Sequence, residues 1–345
     1  MIIEISSPTV RRKEMSAVLT AMVEDKIGPG ERAENLIQTA KEWLRFEYCI
    51  AVRSPVIALH LALKLLGLPP RSGVAVSALS PAYYARVIGD LGLAPVFCDT
   101  AEAFSCPNAA SVGAAVSANA ETPARAAVLY HSLGFMPDME GLSELGIPII
   151  EDCSAAYMSG FGEKKAGSYG VFTILGLEER DMLTSGGGAL LYASSRREAS
   201  VLRNAAPLPA EYGLPDMNAA MALAQFRETE KNLQRRAKIA ELYTQAALRQ
   251  GRHRLFAKPD GFDYNNYAFP LVLETGVKEV IAYAKRKEIV VESAFAGTPA
   301  AAGLAPQNSC PAAVSQSLRT VLFPVYPRLG DAAAVRVAKL IQTLP

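Results

Sequence analysis

Residues 49–99 read CIAVRSPVIALHLALKLLGLPPRSGVAVSALSPAYYARVIGDLGLAPVFCD, and the rhythm of this stretch decides the fold. CIAV (49–52) is a short continuous apolar run, the mark of a strand buried on both faces. IALHLALKLLGL (57–68) carries apolar residues at helical spacing and stops at Gly67, before Pro69 and Pro70. GVAVSAL (73–79) reads as a second strand, YYARVIGDLGL (83–93) as a helix and APVFCD (94–99) as a third strand. AAVLYH (126–131), IPIIED (147–152), GVFTIL (170–175) and GALLYA (188–193) continue the series. Strands separated by crossover helices are βαβ units and build a largely parallel sheet. In such sheets ligands bind beyond the carboxyl ends of the strands, which singles out the strand-end residues Asp99, His131 and Asp152.

Beyond about residue 216 the pattern changes. DMNAAMALAQFRETEKNLQRRAKIAELYTQAALRQ (216–250) reads as one long, charged, amphipathic helix, preceded by Pro215 and with Asp216 as its N-cap. YAFPLVLE (267–274) and TVLFPVYP (320–327) read as strands, and VKEVIAYAKRKEI (277–289) and DAAAVRVAKLIQTL (331–344) as helices. A chain of 345 residues exceeds one ordinary core. The expected division is 1–225, a large unit with an N-terminal arm, and 226–345, a smaller α+β unit. The Ala-rich stretch 109–127 reads as padding in a connection or a helix.

Half of the residues are hydrophobic and a fifth are charged, with 35 Lys and Arg against 34 Asp and Glu. This is a globular composition, and its balance gives no electrostatic reason to expect nucleic acid or an anionic membrane as partner. No apolar run approaches the ~20 residues that span a bilayer. The opening MIIEISSPTVRRKE lacks the basic-then-apolar order of an export signal, so a cytoplasmic location is expected. Five cysteines, Cys49, Cys98, Cys106, Cys153 and Cys310, form no CxxC pair and read as reduced, buried thiols. His60, His131 and His253 have no metal-ligand spacing, so no metal is expected.

Blocks spread over nearly the whole chain resemble the DegT/DnrJ/StrS family of nucleotide-sugar aminotransferases. They are AVRSPVIALHLALKLLGL (51–68), LGLAPVFCD (91–99), YHSLGFMPDMEGL (130–142), IPIIEDCSAAYMSGFGEKKAGSYG (147–170), LPDMNAAMALAQFRETEKNLQRRAKIAELY (214–243) and VLFPVYPRLGDAAAVRVAKLI (321–341). The resemblance implies the α/β PLP-dependent transferase fold of type I: a large domain with a mostly parallel seven-stranded sheet and a smaller C-terminal α+β domain. It also implies pyridoxal phosphate as cofactor, a nucleotide-sugar ligand, and a homodimer in which each subunit completes the other's phosphate site.

Transamination on pyridoxal phosphate asks for a lysine amine that forms the imine and moves the proton. It asks for a carboxylate facing the pyridine nitrogen, a stacking aromatic ring, and N–H groups and hydroxyls at a helix start for the phosphate. By the resemblance, Asp152 matches the pyridine-facing carboxylate. The lysine position falls on Glu179, Arg180 or Asp181 within VFTILGLEERDMLTSGGG (171–188), and no lysine occurs between Lys165 and Lys231. A guanidinium is no imine-forming amine. After Ser54, the family's Gly-Thr becomes Pro55-Val56, which removes a backbone donor and a hydroxyl. The stacking aromatic matches Pro81, with Tyr83 or Tyr84 nearby to compensate. The family's glutamine matches Ala155, and its histidine two residues later matches Tyr157. The asparagine that reaches across the dimer matches Glu211. A carboxylate there would repel a phosphate by about 4 kcal/mol per unit pair at ~4 Å and an effective dielectric of ~20.

The expected function is therefore that of an aminotransferase-like protein without transaminase chemistry. Covalent binding of pyridoxal phosphate is not expected and non-covalent binding is doubtful. Its cleft would take a nucleotide-sugar-like ligand, or the protein would partner an active paralogue. The alternative is an active sugar aminotransferase of polysaccharide biosynthesis with a lysine from elsewhere, for which Lys164, Lys165, Lys231 and Lys258 are the candidates. A third reading is a pure interaction protein that preserves the dimer alone.

Overall fold

The computed structural model describes residues 2–117, 122–274, 276–306 and 308–345. The strands in chain order are β1 (Tyr48–Val52), β2 (Gly73–Ser77), β3 (Ala94–Cys98), β4 (Ala124–Tyr130), β5 (Ile149–Asp152), β6 (Gly160–Phe161), β7 (Lys164–Lys165), β8 (Phe172–Gly176), β9 (Ala189–Ala193), β10 (Phe262–Asp263), β11 (Phe269–Val272), β12 (Glu292–Ser293) and β13 (Thr320–Phe323). The helices are α1 (Arg12–Val23), α2 (Glu31–Leu44), α3 (Pro55–Leu65), α4 (Tyr83–Asp90), α5 (Ala109–Ser117), α6 (Met139–Ser143), α7 (Arg196–Asn204), α8 (Asp216–Arg227), α9 (Thr229–Gln250), α10 (Val277–Arg286), α11 (Pro311–Arg319) and α12 (Asp331–Gln342). The Ala-rich stretch is helical at 109–117 and joins β4 at 124–127, while its residues 118–121 lie outside the described residues.

Seven strands form the main sheet in the order β1-β9-β8-β5-β4-β2-β3. The pairs β2/β3, β2/β4, β4/β5 and β5/β8 are parallel, as the βα alternation predicts. Its two faces follow the strand period of two. Val74, Val76, Val128 and Leu191 enter one hydrophobic cluster with Leu59 and Leu63 of α3. Their neighbours Ala75, Ala127, Leu129 and Leu190 enter the opposite one, with Leu36 of α2 and Phe226 of α8.

The series does not stay parallel to its end. β9 runs antiparallel to β8 and to β1. The segment 177–188 that joins β8 to β9 contains no helix, and a parallel return needs a crossover that a helix usually supplies.

A second sheet, β11-β13-β12, is antiparallel. Phe269, Val321 and Phe323 pack there against Tyr243 of α9 and Val337 and Ile341 of α12. Ile3 reaches this cluster and bridges to Ile289.

The single long helix expected over 216–250 is two helices. Glu228 leaves helical geometry at φ −101° and ψ 7°, where α8 ends against α1 and α2 and α9 begins its run against α12. The two halves bury different faces on different partners, so the axis must turn between them. Asp216 is not the N-cap of its own helix. Its carboxylate accepts from Arg32 N (3.1 Å) and Ala33 N (2.9 Å) and so caps α2. All five cysteines are buried and unpaired. Among the described residues no group of side chains could hold a metal ion and no helix is long and apolar enough to cross a membrane.

Candidate functional site

Each strand-end residue that the sequence singles out is already engaged. At the end of β3, Asp99 accepts from Ala312 N (3.1 Å) and Ala313 N (2.7 Å) and caps α11. At the end of β4, His131 Nε2 meets Glu151 Oε2 at 2.8 Å, with both side chains fully buried. Glu151 also accepts from the backbone N–H groups of Gly167 (2.8 Å), Tyr169 (2.6 Å) and Gly170 (2.5 Å). Burial alone would raise the Glu151 carboxyl, but His131 and the backbone donors hold it below the usual range.

At the end of β5, Asp152 is 1% exposed. The phenol of Tyr84 donates to its Oδ2 at 2.5 Å. Its Oδ1 accepts from Ser154 N at 3.0 Å and from the Ser154 hydroxyl. Tyr84 sits on α4, fully buried, edge-on to Tyr83 with centroids 4.9 Å apart and to Tyr130 at 6.3 Å. Burial raises the Asp152 carboxyl above its ordinary value, against the hydrogen bonds from Ser154 and Tyr84. Burial, then the neighbouring Asp152 charge, raises the Tyr84 phenol as well. The phenol therefore keeps its proton and Asp152 is its acceptor.

The three positions matched to the lysine separate. Glu179 and Arg180 are exposed, and Arg180 pairs with Glu292 at 2.6 Å. Asp181 turns inward, and its Oδ2 accepts from Glu178 N at 2.8 Å. A Cβ on Gly176 would stand 2.3 Å from Asp181 Oδ2 and 2.7 Å from Ser154 Oγ, so the glycine at the end of β8 makes room for both. Burial, and then the nearby Asp152 and Glu178, push the Asp181 carboxyl up to about 8.

The other matched positions serve the fold. Ser54 Oγ accepts from Ile57 N at 3.3 Å and caps α3, Pro55 occupies the first turn, and Val56 is exposed. Pro81 O accepts from Tyr84 N at 3.1 Å. Ala155 is buried, and its carbonyl accepts from Asn265 Nδ2 at 2.8 Å. The Tyr157 ring packs on Phe226 at 5.7 Å, with its hydroxyl 3.3 Å from that of Thr229. Glu211 is exposed on the short turn Ala210–Tyr212. Tyr212 O accepts from Arg53 N at 2.9 Å, so that turn lies beside the residue before Ser54 in the same chain.

The candidate lysines have partners of their own. Lys164 pairs with Glu140 at 2.5 Å and Lys165 with Asp263 at 2.7 Å. Lys231 pairs with Glu228 at 3.8 Å, and the Lys258 ammonium lies 4.7 Å from the centre of the Tyr264 ring.

Sequence reasoning passes over Ser154 and Glu151. The acid before Asp152 in the same strand was a usable signal for Glu151, because alternation turns it to the opposite face.

A family model described as the DegT/DnrJ/EryC1/StrS aminotransferase family matches residues 8–342. Among curated proteins, the chain is 24% identical to a dTDP-4-dehydro-2,3,6-trideoxy-D-glucose 4-aminotransferase of Saccharopolyspora spinosa, over 99% of this chain and 96% of that one. Among solved structures, it is similar to the aminotransferase TlmJ of Streptoalloteichus hindustanus, with a TM-score of 0.90 at 22% identity over 99% of this chain and 98% of that one. It is also similar to Spr1654 of Streptococcus pneumoniae, solved in a PLP-form, with a TM-score of 0.89 at 18% identity over 99% and 98% of the two chains. At these identities the structural likeness is one of fold, that of the type I PLP-dependent transferases.

Proposed function

The chain belongs to the DegT/DnrJ/EryC1/StrS aminotransferase family, and from that membership we propose that it is a member without imine-based transamination, a scaffold that binds a small molecule of the nucleotide-sugar class. The observation that carries the reading is the Tyr84 phenol on Asp152. By the resemblance, pyridoxal phosphate would present its ring nitrogen to Asp152. A buried ring already donates there, and Asp152 is 1% exposed.

Displacing Tyr84 would expose a large buried side chain, at ~1.5–3 kcal/mol. It would also break a hydrogen bond to a charged acceptor, at ~1.5–3 kcal/mol. The sum, about 3–6 kcal/mol, weakens a ligand that needs this seat by roughly a hundredfold to ten-thousandfold. On this reading the residues at Asp152 do not fit the cofactor.

Two further facts support the reading. No lysine occurs between Lys165 and Lys231, and the inward-facing residue of the matched loop, Asp181, is a carboxyl that cannot form an imine. The curated relative's name supports the nucleotide-sugar class of ligand. The same proposal includes a homodimer, a cytoplasmic location and a division of the chain near residue 226.

The test is to incubate the purified full chain with pyridoxal phosphate, record its visible spectrum, reduce with borohydride and measure the intact mass. The expected result is no imine band and an unchanged mass. A band that borohydride converts into a lysine adduct, or release of keto acid from an amino donor, would refute the proposal.

A further inference from the structure

Arg236, on α9, is 7% exposed. Its Nη1 donates to three backbone oxygens, those of Asn266 (3.4 Å), Tyr267 (2.9 Å) and Val325 (2.8 Å). A guanidinium has five N–H donors. Among the described residues Nε and Nη2 have no acceptor and no carboxylate pairs with the group, yet neither nitrogen is sealed from water. Arg236 lines a cavity of about 90 Å³ between residues 5–9, the loop that carries Asp181, and the segment 322–326. Thr184, Gln225 and Tyr267 add polar groups to its wall.

The neighbouring acids do not neutralise this cation. Glu292 is paired with Arg180 at 2.6 Å. Burial pushes the Asp181 carboxyl up to about 8, which weakens its charge near neutral pH. Glu179 is exposed at the rim, where water screens it. Burial pulls the Arg236 guanidinium down to about 10, because a desolvated charge resting on carbonyl dipoles alone is unfavourable.

We propose that this cavity binds a small oxyanion, a carboxylate or a phosphate group, on the free edge of Arg236. Two adjacent N–H groups of a guanidinium match two oxygens of either anion. The volume exceeds the ~10–15 Å³ that one water needs and falls short of the ~300–1,000 Å³ of a drug-sized pocket. It suits the anionic end of a ligand or a free small anion. The proposal goes beyond the loss of transamination and does not depend on it, since it holds whether Asp152 is closed or open.

Sodium acetate and sodium phosphate are titrated separately into the full chain at constant ionic strength, read by thermal midpoint and calorimetry. Wild type is compared with Arg236→Lys and with Ala268→Leu, which enlarges a residue that lines the cavity and keeps the arginine in the sequence. Wild type should show a saturable response to at least one anion, with affinity at least tenfold weaker in both variants. A response to acetate alone identifies a carboxylate and one to phosphate alone a phosphate. No saturable response in wild type, or unchanged affinity in Ala268→Leu, overturns the proposal. Ala268→Leu decides alone where Arg236→Lys does not fold.

Discussion

Replacing Tyr84 by phenylalanine removes one hydroxyl and keeps the ring. The hydroxyl donates to Asp152 at 2.5 Å, and Ser154 alone would then serve that carboxylate. A lost hydrogen bond to a charged, buried acceptor costs about 1.5–3 kcal/mol. At roughly 2 °C per kcal/mol for a chain of this size, the midpoint of thermal unfolding should fall by about 3–6 °C.

The loss should also depend on pH. The folded-state carboxyl of Asp152 is already raised above its ordinary 3.8, and removing a donor raises it further. A raised carboxyl binds its proton more tightly when folded, so stability declines as pH rises from the unfolded value through the folded one. The difference between variant and wild type should be small near pH 4 and full once Asp152 is ionised in both. Thermal or urea unfolding at several pH values reads both quantities. A midpoint change under about 1 °C at alkaline pH, or a loss that grows toward acid, would show that the phenol does not hold the ionised carboxylate.

Asp181→Asn should flatten the pH dependence of stability, measured by urea unfolding. The wild-type carboxyl is raised from 3.8 to about 8, so its folded-state advantage is complete below 3.8 and is lost as pH climbs to about 8; a slope in that window unchanged by the substitution would refute the assignment. Gly176→Ala should destabilise by ~1–3 kcal/mol through overpacking, because its methyl would stand 2.3 Å from Asp181 and 2.7 Å from Ser154. A thermal midpoint equal to wild type would mean that the loop carrying Asp181 moves aside freely.

Much of the site was legible only as a set of positions. That Asp152 ends a strand follows from IPIIED and its alternation, and that no lysine occurs between Lys165 and Lys231 follows from reading along the chain. That Asp152 is closed could not be read, because its partner Tyr84 lies 68 residues away on another element. The YYARVIGDLGL pattern places Tyr84 on a helix but does not say what the hydroxyl will meet. Arg236 looks like one more charge on an amphipathic helix. Its burial follows only from carbonyls 30, 31 and 89 residues along the chain.

Hydrophobic period by itself determined the parallel core of the sheet. Runs such as GVAVSAL and IALHLALKLLGL can bury their apolar atoms in only one kind of element, and that choice is local. Tertiary structure decided what local pattern leaves open: the antiparallel return of β9 onto β8, the break at Glu228, where one amphipathic pattern serves two different packing partners, and the transfer of Asp216 to a helix 184 residues earlier. In each case the deciding partner lies far along the chain. A side chain's period records which face is buried, whereas the acceptor, strand or helix that it meets there is set by how distant segments cross.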